Sequence, residues 1–165
     1  MIGLRTRQVN RSFDYGAGAE NQIDHMAAAG MFSSAPPPAS ARAALADPNG
    51  SAPVEARARA WLEANCSHCH QPGGAAGPTN LYLLSTVQNP LDYGVCRRPN
   101  AAGPGAGGRM FDIVAGHPDD SVMTYRIASS TPGIKMPEIP IQLVDARGLA
   151  LVTQWIQEMP AQPCQ

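Results

Sequence analysis

Cys66-Ser67-His68-Cys69-His70 decides how this chain is read. Cys-x-x-Cys-His is the attachment signature of a c-type haem. Two thiols three residues apart reach the two vinyl groups of a porphyrin and form thioethers, and the next residue brings its imidazole under the iron. Two other readings compete for the cysteine pair. A thioredoxin-like dithiol wants a strand before it and a βαβ pattern around it, whereas an Ala/Arg/Glu-rich helical stretch precedes it here. A four-cysteine zinc site wants a second Cys-x-x-Cys, and Cys96 and Cys164 are isolated. The expectation is therefore one haem c, covalent through Cys66 and Cys69, with His70 as an iron ligand and His68 as a spacer turned to solvent.

The stretch that delivers the motif reads as a helix from Val54 to about Asn65. Val54, Ala58, Trp61, Leu62 and Cys66 share one face, while Glu55, Arg59 and Glu63 are spaced for i,i+4 pairing on another. From Gln71 to Gly108 Gly and Pro dominate and loop is expected, anchored by Leu81-Tyr82-Leu83-Leu84. A second helix is expected to start at Pro118, with Asp119 and Asp120 in its first turn and Val122, Met123, Arg126 and Ile127 facing inward. A third should run from about Val144 to Met159, aligning Leu149, Val152, Ile156 and Met159. Gly148 weakens that helix, which points to a close helix–helix approach there.

Upstream the pattern changes. Residues 1–34 are mixed and end in a helical stretch, Asn21 to Phe32, so they read as an N-terminal arm or the remnant of a preceding domain. Residues 35–52, with Pro36-Pro37-Pro38 and the turn Asp47-Pro48-Asn49-Gly50, read as a Pro/Ala/Ser linker. The haem domain is expected over 53–165.

The 165 residues carry a net charge of −1, which gives no sign of attraction to nucleic acid or to an anionic membrane. Aromatic residues make up 5 %, while Gly and Pro number 16 each, so long loops and a thin side-chain core completed by an apolar prosthetic group are expected. No apolar run approaches the ~20 residues needed to span a bilayer, and Met1-Ile2-Gly3-Leu4-Arg5 has no apolar h-region. Covalent haem attachment normally takes place outside the cytoplasm. A periplasmic or otherwise extracytoplasmic bacterial location is expected, with the sequence a processed or excised piece of a longer exported precursor. With Cys66 and Cys69 on the haem, Cys96 and Cys164 are an even remainder in an oxidising space. They form either a bridge, worth about 4 kcal/mol by chain entropy, or two independent thiols.

Three helices around Cys-x-x-Cys-His, the last at the C-terminus, resemble the class I c-type cytochromes over roughly residues 53–165. The resemblance implies an all-α fold with long Gly/Pro-rich loops, in which the first and last helices cross and a methionine on a late loop is the sixth iron ligand. Met136, in Gly133-Ile134-Lys135-Met136-Pro137-Glu138-Ile139-Pro140 just before the last helix, takes that place, with Pro132 and Pro137 stiffening its loop. The alternatives are His117, Met123, Met159 and Met110, or an open site. Members of the family often orient the proximal histidine with a proline carbonyl, and Pro78 is the residue matched to it. Tyr125, Arg126 and Trp155 are matched to the haem propionates, or else belong to an ordinary amphipathic core edge. Gly3 to Tyr15 with Asn21-Gln22, Cys96-Arg97-Arg98-Pro99 and Phe111 to Gly116 resemble, more narrowly, the C-terminal region of large exported bacterial proteins that end in a single haem domain.

The function implied is electron transfer by one haem with His/Met ligation, as a carrier or relay. Its partners would be redox proteins or a larger oxidoreductase complex, with no enzymatic turnover of its own. No catalytic constellation stands apart from the motif, since Asp119, Asp120 and Ser121 suit a helix start. The rivals are a haem enzyme or gas sensor with an open sixth site, and a structural haem-bearing subunit of a larger complex.

Overall fold

The computed structural model of the protein describes residues 4–100, 102–138 and 143–165. Met1–Gly3 and the Ile139-Pro140 end of the Met136 segment lie outside them. Two compact units are formed, Met1–Ala46 and Asp47–Gln165.

In the first unit a short helix α1 (Thr6–Val9) precedes strands β1 (Ser12–Asp14) and β2 (Ala19–Asn21), which pair antiparallel with Ser12 opposite Asn21. Gly16 and Gly18 turn the chain between them at φ +92° and +119°, and the Asp14 carboxylate accepts from Gly16 N at 2.8 Å. Helix α2 (Gln22–Ala28) follows, capped by the Asn21 side chain on Ile23 N, and the chain leaves it through Gly30 at φ +74°. This unit is held by polar contacts more than by a core, since Ile23 is its buried hydrophobic residue. Asn10, also buried, donates to the carbonyls of Ala39 and Arg42 (3.0 Å each) and accepts from Asn21 (2.8 Å). The Pro/Ala/Ser stretch thus returns to the hairpin. Arg42 adds contacts to Asn21 (3.2 Å) and Asp24 (2.5 Å).

The all-α expectation does not hold. Helix accounts for 36 % of residues and the chain carries a two-stranded antiparallel sheet, so the structure is mixed α/β with much irregular backbone. The reason is local. Gly16 and Gly18 permit a reversal tight enough for ladder bonds, and the many Gly and Pro elsewhere break the helical runs.

The second unit is built on helix α3 (Val54–Cys66), which buries Ala58, Trp61, Leu62 and Cys66 as its spacing predicts. Of its charged face, Glu55 is exposed and pairs with Arg59 at 3.5 Å as its spacing predicts, but the two residues beyond it are not left to solvent. Arg59 is 8 % exposed and Glu63 fully buried, because the 84–88 loop lies over them. Arg59 donates to the Leu84 and Val87 carbonyls and stacks on Tyr93 at 4.3 Å, and Glu63 accepts from Ser85 N (2.8 Å) and Oγ (2.6 Å).

The expected second helix is split. Pro118–Asp120 is a 3-10 turn containing both aspartates, and helix α4 (Val122–Ile127) begins after Ser121. Ser121 Oγ accepts from Val114 N (2.9 Å) and donates to the His117 carbonyl (3.0 Å), which fixes the break. Thr124 is buried on α4 where Arg126 was expected, and Arg126 is half-buried.

Helix α5 (Ala146–Glu158) packs across α3. Asp145 caps it, accepting from the N–H groups of Arg147 and Gly148 (3.0 Å each), and its second oxygen takes the Trp61 indole N–H at 2.9 Å. At the crossing Gly148 meets Trp61 so closely that a Cβ there would stand 2.2 Å from the indole. The close approach read from this glycine is real. Around the crossing the core gathers Leu83, Val95, Ile113, Met123, Ile127, Val152 and Trp155. Cys96 and Cys164, 68 residues apart, are joined by a disulfide. Among the described residues no helix is long and apolar enough to cross a membrane.

Candidate haem-attachment site

Helix α3 ends inside the motif. Its last carbonyl, that of Cys66, accepts from both Cys69 N (3.1 Å) and His70 N (2.9 Å), so the pentapeptide coils as one further turn. That coil puts Cys66, Cys69 and His70 on one side at i, i+3 and i+4. Ser67 Oγ donates to the Glu63 carbonyl at 2.7 Å and locks the turn from inside. The chain then doubles back sharply. The Cys69 carbonyl accepts from Gln71 N and Ala76 N (3.1 Å each), and a Cβ on Gly74 would lie 2.3 Å from that oxygen. Only glycine fits there. Leu83 N donates to the His70 carbonyl at 2.9 Å, so the Leu81–Leu84 anchor is laid against the motif.

The electrostatics separate the possible chemistries. Cys66 is buried, and burial pushes its thiol up to about 12, with Cys69 adding to the rise. A dithiol oxidoreductase works through a depressed thiol pKa, the opposite of what is found. Among the described residues no three His, Cys, Asp or Glu side chains converge as ligands of a single ion would. His70 is half-buried, with Nδ1 turned into the protein. Burial lowers its pKa, the Leu81 backbone opposes that, and Arg126 reinforces it, so the ring favours the neutral form that a metal ligand requires. Nδ1 itself completes no hydrogen bond of good geometry. The backbone group that acts on the ring is that of Leu81. Pro78 lies in a 3-10 turn, and its carbonyl receives Asn100 Nδ2 at 3.4 Å. His68 is half-buried rather than open to solvent.

Met136 is half-buried on the loop before α5. Its backbone N–H donates to the Arg126 carbonyl at 3.0 Å, and the peptide bond to Pro137 is cis. Two charges flanking the sulfur's loop, Arg126 and Glu138, both act on His70. The loop and the imidazole therefore stand in one electrostatic neighbourhood. The alternative ligands sit elsewhere. His117 is exposed and lines an open groove with Arg109, Asp120 and Cys164. Met123 is 7 % exposed in the core, Met110 is 55 % exposed, and Met159 is half-buried at the end of α5.

The three residues matched to the propionates are differently placed. Tyr125 lies beneath the Arg109 guanidinium at 4.3 Å and against Gly107. Trp155 is buried beside Tyr93, with ring centroids 6.0 Å apart. Arg126 gives Nε to the Ile134 carbonyl at 2.9 Å.

Gly74 and Gly105 are not among the residues the sequence singles out, and Leu81 and Ile134 appear there only as part of the apolar anchor and of the Met136 segment. Leu81 and Ile134 act through main-chain carbonyls, which no residue type announces. Gly74 carried a weak signal, one of two adjacent glycines three and four residues after the motif. Two thiols and an imidazole on one turn, Cys66 buried and Cys69 and His70 half-buried, backed by an apolar core, suit a thioether-linked macrocycle. Comparison of the chain with protein families, with curated proteins and with solved structures finds no match.

Proposed function

We propose that the chain holds one haem c through Cys66 and Cys69, with His70 and Met136 as axial ligands, and passes electrons as a monohaem c-type cytochrome in an extracytoplasmic redox system. The observation that carries this reading is the turn at the end of α3, which brings both thiols and a ring that favours the neutral form to one side. The bound haem supplies one-electron chemistry between ferric and ferrous iron.

The protein's own groups do the rest. Before the haem is attached, burial of Cys66 keeps its thiol protonated and out of disulfide exchange, and Leu83 fixes the His70 backbone. The apolar side chains around the α3–α5 crossing exclude water, which limits the charge rearrangement on electron transfer. With the His70 imidazole and the Met136 thioether both holding the iron, no position would be left for substrate, so the protein would act as carrier or relay with redox proteins or a larger oxidoreductase.

Mass spectrometry of the denatured protein should show one haem retained, and the ferric spectrum should contain the long-wavelength thioether–iron band. In Met136→Ala the haem stays attached, the band disappears, exogenous imidazole binds and the potential falls. A pigment lost to acid–organic extraction from intact protein defeats the attachment. An unchanged ferric spectrum in Met136→Ala moves the ligand elsewhere.

A further inference from the structure

Arg126 touches the Met136 loop at two points. Its main-chain carbonyl, in the last turn of α4, accepts the Met136 N–H at 3.0 Å. Its side chain returns to the same loop two residues earlier, where Nε donates to the Ile134 carbonyl at 2.9 Å. The intervening residues are closed on themselves, since Ile134 N and Lys135 N both donate to the Thr131 carbonyl (3.1 and 2.9 Å). The loop is therefore a small turn gripped by one residue from α4.

The guanidinium is held in that pose from behind. Gly105, buried in the turn Gly103–Ala106, lies flat against it, and a Cβ at 105 would stand 3.1 Å from Arg126 Cζ and 3.3 Å from Nε. Asp112, 6 % exposed, lies near enough for both Arg97 and Arg126 to act on its carboxyl. A planar cation backed by a glycine and faced by a carbonyl has little freedom, and hydrogen bonds from a charged donor are the stronger kind.

We infer that Arg126 is a positioning residue that latches the Met136 loop closed, with Gly105 as the seat that lets its guanidinium lie in place. This rests on the proposal that Met136 ligates the iron and adds to it the element that keeps a weak thioether from yielding to competitors. Loop opening and exogenous ligand binding are linked. Weakening the latch raises the fraction of open loop, and the apparent affinity of a competing ligand rises by the same factor.

The test titrates imidazole into the ferric holoprotein well below its melting temperature while the thioether–iron band is followed. Arg126→Met keeps the apolar stem and the main-chain bond but removes the side-chain donor. It should bind imidazole on the order of tenfold more tightly than wild type, the scale of one charge-assisted hydrogen bond. Arg126→Lys should fall between, because an ammonium lacks the planar Nε–H. Gly105→Ala leaves Arg126 intact and pushes its guanidinium by a few tenths of an ångström, so it should shift the titration the same way by a smaller factor. A purely structural role would lower the melting temperature and leave the imidazole affinity within twofold of wild type, which overturns the latch. Should Arg126→Met fail to fold, an unchanged affinity in Gly105→Ala overturns it equally. A wild-type protein with no thioether band defeats the ligand proposal and the latch together. Wild type with the band, and variants unchanged, defeats the latch alone.

Discussion

Replacing Gly148 by Ala tests the helix crossing that carries the site. In an open helix interior this change stabilises by about 1 kcal/mol, because alanine is the better helix former. At Gly148 the added methyl would stand 2.2 Å from Trp61 Cε2 and 2.3 Å from Cζ2, where carbon atoms require about 3.5–4.0 Å. Relief needs α3 and α5 to part by more than an ångström or the indole to turn. Parting the helices opens the buried contacts of Ala58, Val152 and Trp155. Turning the indole breaks its bond to Asp145. Overpacking of this kind costs about 1–3 kcal/mol, and both escapes point to its upper end. After the propensity gain a net loss of about 2 kcal/mol remains, a fall of roughly 4–8 °C in Tm for a chain of this size. The assay is thermal unfolding of the oxidised protein followed by far-UV circular dichroism. Trp61→Phe, which removes the clashing ring, should absorb much of the effect, giving a coupling of about 1 kcal/mol or more in a double-mutant cycle. A Gly148→Ala protein that melts at or above wild type refutes the close-contact argument.

Cys164→Ser should open a loop of 68 residues and lower stability by about 4 kcal/mol on chain entropy, while leaving the visible spectrum unchanged. Denaturant unfolding checks the first part and an absorbance scan the second. Burial raises the Asp112 carboxyl to about 7, against the opposing pull of Arg97 and Arg126. The folded state thus binds the proton more tightly than the unfolded one, and stability should decline as pH rises from about 4 through 7. Asp112→Asn should remove that decline and be the more stable protein at pH 8, by a few kcal/mol at most. Urea midpoints at pH 5 and 8 decide it, and parallel profiles for the two proteins would sink the assignment. Asp145 behaves oppositely, because the Gly148 N–H, then Trp61 and Arg147, hold its carboxyl below the usual carboxylate range. Its contribution is present above the unfolded value of about 4 and is lost as pH falls through the lower folded one. Asp145→Ala should cost about 1–2 kcal/mol at pH 7 from the lost cap and indole bond, and that deficit should shrink towards pH 2.

What could be read in the sequence was whatever depends on spacing along one helix. The bounds of α3, the apolar face ending in Cys66, and the tight contact at Gly148 all follow from a 3.6-residue period and from the one residue without a Cβ. What could not be read depends on segments brought in from a distance. Arg59 and Glu63 look like surface i,i+4 partners, and only the 84–88 loop converts them into buried clamps. Pro78 is matched to the His70 ring by the family resemblance, and the backbone that acts on that ring is that of Leu81, which no residue type announces. The hairpin was missed because β1 and β2 are three residues each, too short for an alternation to show, and their turn was legible only as two glycines. Arg126 was read for its charge, whereas its position is set by two carbonyl contacts that leave no trace in residue type.

The bridge between Cys96 and Cys164 closes a covalent ring that contains Arg126, Met136 and all of α4 and α5, while Cys66, Cys69 and His70 lie on the open chain before it. One proteolytic cut anywhere within that ring, after Lys135 for instance, severs the backbone without releasing a fragment. A nicked molecule would keep its mass on a non-reducing gel and split in two only when thiol is added. The two sides of the proposed haem site would thus differ in how they tolerate damage: Met136 sits on a loop that survives a break, and His70 on a single thread.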